Sequence, residues 1–166
     1  MAAAVLPKAS ALPWLWLSAL LIGLDQASKW LAVSRLLPEQ PVTFVPGFWD
    51  WHLQYNPGAA FSLFAESGPW KHGFFIALAT LISVVLAVAL RRVAREDWRN
   101  ALPFALIIAG ALGNLVDRLL HGKVVDFVDW YVGSHHWPVF NLADSCIVAG
   151  AVLMVLFSLS HRERAA

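Results

Sequence analysis

Four long apolar runs, separated by stretches in which polar and aromatic residues mix, organise this chain. They cover residues 12–37, 73–90, 101–120 and 141–160. Each comes near the ~20 residues that cross a bilayer as a helix. The second, "GFFIALATLISVVLAVAL", has no charge and only Thr80 and Ser83 as polar interruptions, and reads as scaffold. The first run is not read as a cleaved leader, although Lys8 precedes it, because its apolar pattern resumes after "DQASK" as "WLAV". Between the first two runs the period changes. "WDWHLQYN" puts Trp49, Trp51, Leu53 and Tyr55 on one face and Asp50, His52, Gln54 and Asn56 on the other, which predicts a strand. "PVTFVPG" before it supplies a hairpin partner, with Pro46-Gly47 as the turn.

Composition agrees with a membrane assignment. Of 166 residues, 59% are hydrophobic and 14% charged, with mean hydropathy +0.62. Soluble domains sit nearer half apolar and a quarter charged. A net charge of +1 points to no nucleic-acid partner. The single cysteine, Cys146, excludes an internal disulfide. Lys8, Arg91, Arg92, Arg95, Arg99, Arg162 and Arg164 fall on one side of the four runs, against Arg35, Lys71 and Lys123 on the other. The positive-inside rule then makes both termini cytoplasmic. Residues 38–71 and 122–140 become outer segments. Residues 1–166 read as one integral membrane domain: an all-α protein of four transmembrane helices plus a small β element.

Polar residues inside spans are rare and mark function. Asp25 and Lys29 stand four apart on one helix face. Asn114, Asp117, Arg118 and His121 form one stripe, and Asn141, Asp144 and Ser145 another. By helix rise, Asp117 lies ~24 Å from Ala101, Asp144 ~24 Å from Ser160 and Asp25 ~20 Å from Leu12. All three reach the outer third of a ~30 Å core, which argues for one shared site. Structural readings stand beside the functional ones. Asp25–Lys29 fits a packing ion pair, Arg118 can grip a carboxylate from another helix, and Asp117 can steady a loop. Asn114 and Asn141 can link helices.

Asp144, at the mouth of the last run, is open to three roles: helix cap, half of an ion pair, or half of a catalytic pair. "KVVDFVDWYV" offers Asp126, in an apolar setting, and Asp129, expected to be the more solvated. If "VVDFV" runs extended beside the fourth helix, Asp126 and Asp144 meet, and two touching carboxylates share one proton. That arrangement suits an aspartic protease. Other chemistries fit worse. Cys146 projects ~200° from Asp144 around the helix. His135-His136 is weak evidence for a metal, and Ser28, Ser62 and Ser145 have no evident His–Asp partners.

Five motifs, in order, resemble the bacterial lipoprotein signal peptidases, or signal peptidase II: "DQASK", "NPGAAF", "GALGNLVDR", "VVDF" and "FNLAD". Ala111 departs from a glycine frequent there. The resemblance implies a four-helix bundle with an extracytoplasmic β-cradle in the bacterial cytoplasmic (inner) membrane. It implies cleavage of diacylglyceryl-modified prolipoproteins just before the lipidated cysteine, with no metal or cofactor. Asp126 and Asp144 map onto the catalytic pair. Asn56, Asn114, Arg118 and Asn141 map onto positions lining the site, and Asp25, Lys29, Gly58, Asp117 and Ala143 onto supporting ones. The partners implied are lipid-modified substrates and membrane lipid. One chain carries the full motif set, as a monomer would. The competing classes are a small polytopic transporter and a non-catalytic membrane adaptor. A transporter more often shows repeated halves and a midplane site, and neither is seen in this sequence.

Overall fold

The computed structural model describes residues 9–58 and 70–163. A 3-10 turn at Leu12–Trp14 leads into α1 (Leu15–Arg35). Then come β1 (Val42–Val45), β2 (Trp49–Asn56), α2 (Trp70–Leu90), α3 (Trp98–His121), β3 (Val124–Val132), β4 (His135–His136) and α4 (Leu142–Glu163). The hairpin and the alternating strand fall where the sequence places them. Lys8, Ala59–Phe61, Ser62 and Arg164 lie outside the described residues.

The helix ends differ from the apolar runs for local reasons. α3 starts at Trp98, before its apolar run, because the Asp97 carboxylate accepts the Asn100 backbone N–H and caps it. It stops at Gly122, whose φ of 72° turns the chain left-handed while its N–H bonds Arg118 O. Pro13 keeps the start of the first run in a 3-10 turn, and the chain is already extended at Leu36. α2 gains a turn at its start from Trp70, Lys71 and His72.

α3 is the central helix, packed against α1, α2 and α4. Its buried stripe is made of small residues: Ala101, Ala105, Ala109 and Gly113 at four-residue intervals, with Gly110 and Ala111 beside them. Apolar side chains gain little by leaving lipid, so close backbone approach through small residues is what joins membrane helices. At Gly110 a Cβ would collide with the Ala143 carbonyl oxygen and stand 2.6 Å from Ile147 Cγ1. Gly110→Ala should therefore lower stability by about 1–3 kcal/mol, as over-packing does. Thermal unfolding in detergent reads this, with Gly23→Ala as the neutral control, since nothing lies within 4 Å of a Cβ there.

Among the described residues, three helices are long and apolar enough to cross a membrane: α2, α3 and α4 over Leu142–Ser160. α1 is equally long at 21 residues but carries Asp25 and Lys29. Both are buried, while Trp16, Leu20, Leu24, Trp30, Leu31 and Val33 are exposed on its other side.

The four strands form one antiparallel sheet in the order β1-β2-β3-β4. A register shift between Trp51 and Gln54 interrupts the β2–β3 pairing. Phe44, Trp49, Trp51, Phe127 and Trp130 pack ring to ring across it, with centroids 4.8–6.4 Å apart. β3 leaves the end of α3 and runs past the start of α4. Phe127 and Val128 N–H groups both bond Phe140 O, and Phe140 N–H returns to Val128 O. This brings Asp126 beside the mouth of α4.

Candidate active site

The first turn of α4 is closed reciprocally. Asn141 Oδ1 accepts the Asp144 N–H at 2.9 Å, and Asp144 Oδ2 accepts the Asn141 N–H at 3.2 Å. This is capping-box logic with Asn and Asp as its two members. The same Asn141 side chain donates from Nδ2 to Asp126 Oδ1 at 2.7 Å. Asn141 is fully buried and bridges the two aspartates. Asp126 Oδ2 accepts from Asn56 Nδ2 at 3.0 Å, and Asp144 Oδ1 from Asn114 Nδ2 at 2.8 Å. Every oxygen of both carboxylates thus has an amide donor.

Asp126 lies on β3, outside the spans, and only 2% exposed. Burial, then repulsion from Asp144, raises it to about 7, against the pull of the Asn56 and Asn141 amides. At neutral pH it is therefore about half protonated, where an ordinary carboxyl is almost fully ionised.

Beneath the pair lies a buried ionic cluster. Lys29 Nζ meets Asp25 Oδ2 at 2.8 Å, Asp117 Oδ2 at 3.0 Å and Asn114 Oδ1 at 2.9 Å. Asp25 Oδ1 accepts the Ala143 N–H at 2.9 Å, and Asp117 Oδ2 accepts the Val125 N–H at 3.0 Å. Ala143 and Val125 immediately precede Asp144 and Asp126. Asp117 thus holds the start of β3, and the Asp25–Lys29 pair has a second carboxylate and an amide attached.

Arg118 departs from expectation. Among the described residues it forms no ion pair. Its Nη2 donates to Gly58 O at 3.0 Å and Nη1 to Asn114 O at 3.3 Å, with the guanidinium 5.0 Å over the Phe75 ring. It fastens the turn after β2, where Gly58 N–H also bonds Asn56 Oδ1 at 2.9 Å.

Asp129 is a correction. The sequence suggests a solvated carboxylate, yet it is 3% exposed. His52 Nδ1 lies 3.3 Å from its Oδ2 and His136 Nδ1 3.0 Å from both oxygens. The short strand β4, which brings His136 over it, has too few residues to show in periodicity. The sequence reading also missed Gln26, whose side chain reaches Asp117. Its only signal was a polar residue beside Asp25 in an apolar run. Cys146 is buried, Ser28 donates to the Asp25 carbonyl of its own helix, and Ser145 donates to the Asn141 carbonyl just before α4. His121 stays exposed at the end of α3, outside the cluster. Among the described residues no cluster of three or more His, Cys, Asp or Glu is arranged to hold a metal ion.

The chain matches the family model described as signal peptidase (SPase) II over residues 17–160. It belongs to the signal peptidase II family. That match takes in every polar residue of the site, from Asp25 to Asp144. Relatives named lipoprotein signal peptidase include one from Xanthomonas campestris pv. campestris (strain 8004), 55% identical over 158 residues, 95% of each chain. Another, from Xylella fastidiosa (strain 9a5c), is 57% identical over 160 residues, 93% of this chain and 95% of its own. Among solved structures, a bacterial membrane enzyme determined by the in meso method at 2.3 Å resolution superposes with a TM-score of 0.84. It is 25% identical, with 96% of this chain and 94% of that one covered. Signal peptidase II membership makes this chain one of a family of bacterial membrane peptidases.

Proposed function

We propose that this chain removes signal peptides from diacylglyceryl-modified prolipoproteins, cutting just before the lipidated cysteine, and does so as an aspartic endopeptidase with Asp126 and Asp144. The observation that carries the catalytic assignment is buried Asn141, whose side chain donates to the Asp126 carboxylate while its backbone N–H donates to the Asp144 carboxylate. Asp126, raised to about 7, keeps the shared proton and donates it to the scissile carbonyl oxygen. Asp144 takes a proton from the attacking water as its oxygen bonds the carbonyl carbon. Collapse of the tetrahedral intermediate breaks the C–N bond as the proton from Asp144 passes to the leaving amine. Asp126 regains its own from the diol. Asn56 and Asn114 keep the two carboxylates oriented, and Arg118 holds the turn that carries Gly58.

We further read α1 as a fourth span, its charges turned into the bundle and its apolar face turned to lipid. The arginines between α2 and α3 lie at the end away from the sheet, where Ser10 bridges Ala94 and Arg95 N–H bonds Ala9 O. In a bacterial inner membrane that end faces the cytoplasm with both termini. The sheet then rests on the outer surface, at the depth of a lipid-anchored scissile bond. The active unit is a monomer in contact with membrane lipid.

Purified protein tests this with one prolipoprotein in two forms. The diacylglyceryl-modified form should be cut and the unlipidated form should turn over far more slowly, while Asp129→Asn should retain most activity. Equal cleavage of both forms contradicts the substrate assignment.

A further inference from the structure

The geometry points to Gln26 as a positioning residue that orients Asp126 through Asp117, a role that rests on the aspartic reading above. Gln26 Nε2 donates to Asp117 Oδ1 at 2.8 Å, to Gly113 O at 3.1 Å and to Asp25 Oδ2 at 3.2 Å. It thereby touches both carboxylates that hold the backbone ahead of the two catalytic aspartates. Gly113 makes room for this junction: a Cβ there would stand 2.8 Å from Asp25 Oδ2.

The two Asp117 oxygens are not equivalent. Oδ2 receives Lys29 and the Val125 N–H. Among the described residues, Oδ1 receives only Gln26. A carboxylate turns easily about its last torsion, where the energy wells are broad. Two donors at one oxygen leave that rotation loosely fixed, and a donor at the other oxygen sets it. Gln26 therefore aligns the acceptor for Val125 and, through it, the start of β3 that carries Asp126. Asp25 and Asp117 share the single charge of Lys29, so one negative charge is left in excess. An amide donor stabilises that excess, and an acceptor in its place opposes it.

Packing and hydrogen-bond donation make different demands at this position. Glu has the shape of Gln, whereas Leu only fills volume. If Gln26 acts as a donor, Gln26→Leu should lower kcat roughly 10- to 100-fold with KM nearly unchanged, the scale of a misplaced reacting group. Gln26→Glu should be worse despite its shape. The double variant Gln26→Glu/Asp117→Asn should regain activity over Gln26→Glu alone. An asparagine at 117 can donate to the new carboxylate and still accept the Val125 N–H. Amide hydrogen exchange at Val125, read without substrate, should speed up about tenfold in Gln26→Leu and slow again in the double variant. Wild-type kcat in Gln26→Leu, wild-type activity in Gln26→Glu, or unchanged exchange at Val125 each overturns the proposal. So does a double variant no better than Gln26→Glu, including the case where both single variants fail to fold. Wild type failing to cut the lipidated substrate counts against the proposed function instead, and Val125 exchange still decides the role of Gln26.

Discussion

Asp126→Asn is expected to lower cleavage of a lipidated prolipoprotein by roughly 10³- to 10⁴-fold, the scale of a lost acid–base group. Asp144→Asn should do the same. The substitution keeps size and shape, and one oxygen still accepts from Asn141 or Asn56. The new NH₂ group meets a donor, so some stability is also lost, on the order of 1–3 kcal/mol. Loss of turnover far beyond that separates chemistry from folding. The wild-type pH profile follows from the same carboxyl. Asp126 is raised to about 7, so it is protonated below that pH and ionised above it. As pH rises past an apparent value near 7, activity should fall about tenfold per unit, because the pair loses its shared proton. A basic limb several units away contradicts the assignment of the proton.

Lys29→Met should be the most damaging change to the fold. It leaves Asp25 and Asp117 buried with no cation between them, at a cost of about 3–5 kcal/mol. For a chain of this size that is roughly 10 °C in unfolding midpoint. Removing the whole cluster should hurt less, because buried ion pairs are no more stabilising than apolar replacements of similar volume. The triple variant Asp25→Asn/Lys29→Met/Asp117→Asn should therefore melt above Lys29→Met. Thermal unfolding in detergent checks both. A Lys29→Met protein as stable as wild type contradicts the described charge network.

Much of this architecture is legible in the chain because membrane and sheet impose short periods. The strand over residues 49–56 and its hairpin partner stand out from strict alternation and a Pro-Gly turn. The helices α2, α3 and α4 stand out because lipid requires long apolar runs. The extended course of "VVDFV" beside α4 could be read as one option, since apolar β-branched residues around Asp126 favour a strand. What could not be read were partners far apart in sequence. Periodicity places Arg118 on the same stripe as Asn114 but does not say that it reaches the Gly58 carbonyl and the Phe75 ring. Asp129 looks solvated next to interfacial aromatics, and only the fold brings His52 and His136 over it. Gln26 neighbours a conspicuous Asp, and only the crossing of α1 with α3 turns it toward Asp117. Helix starts were set by single caps such as Asp97, which an apolar count passes over.

The most direct test of the central claim is a single-turnover experiment with purified Asp144→Asn protein in excess over a diacylglyceryl-modified prolipoprotein. Excess enzyme removes product release from the measurement and leaves binding and chemistry. The account predicts that the variant binds the substrate as wild type does and leaves the signal peptide attached, while wild type removes it. Cleavage by Asp144→Asn at the wild-type rate would contradict it.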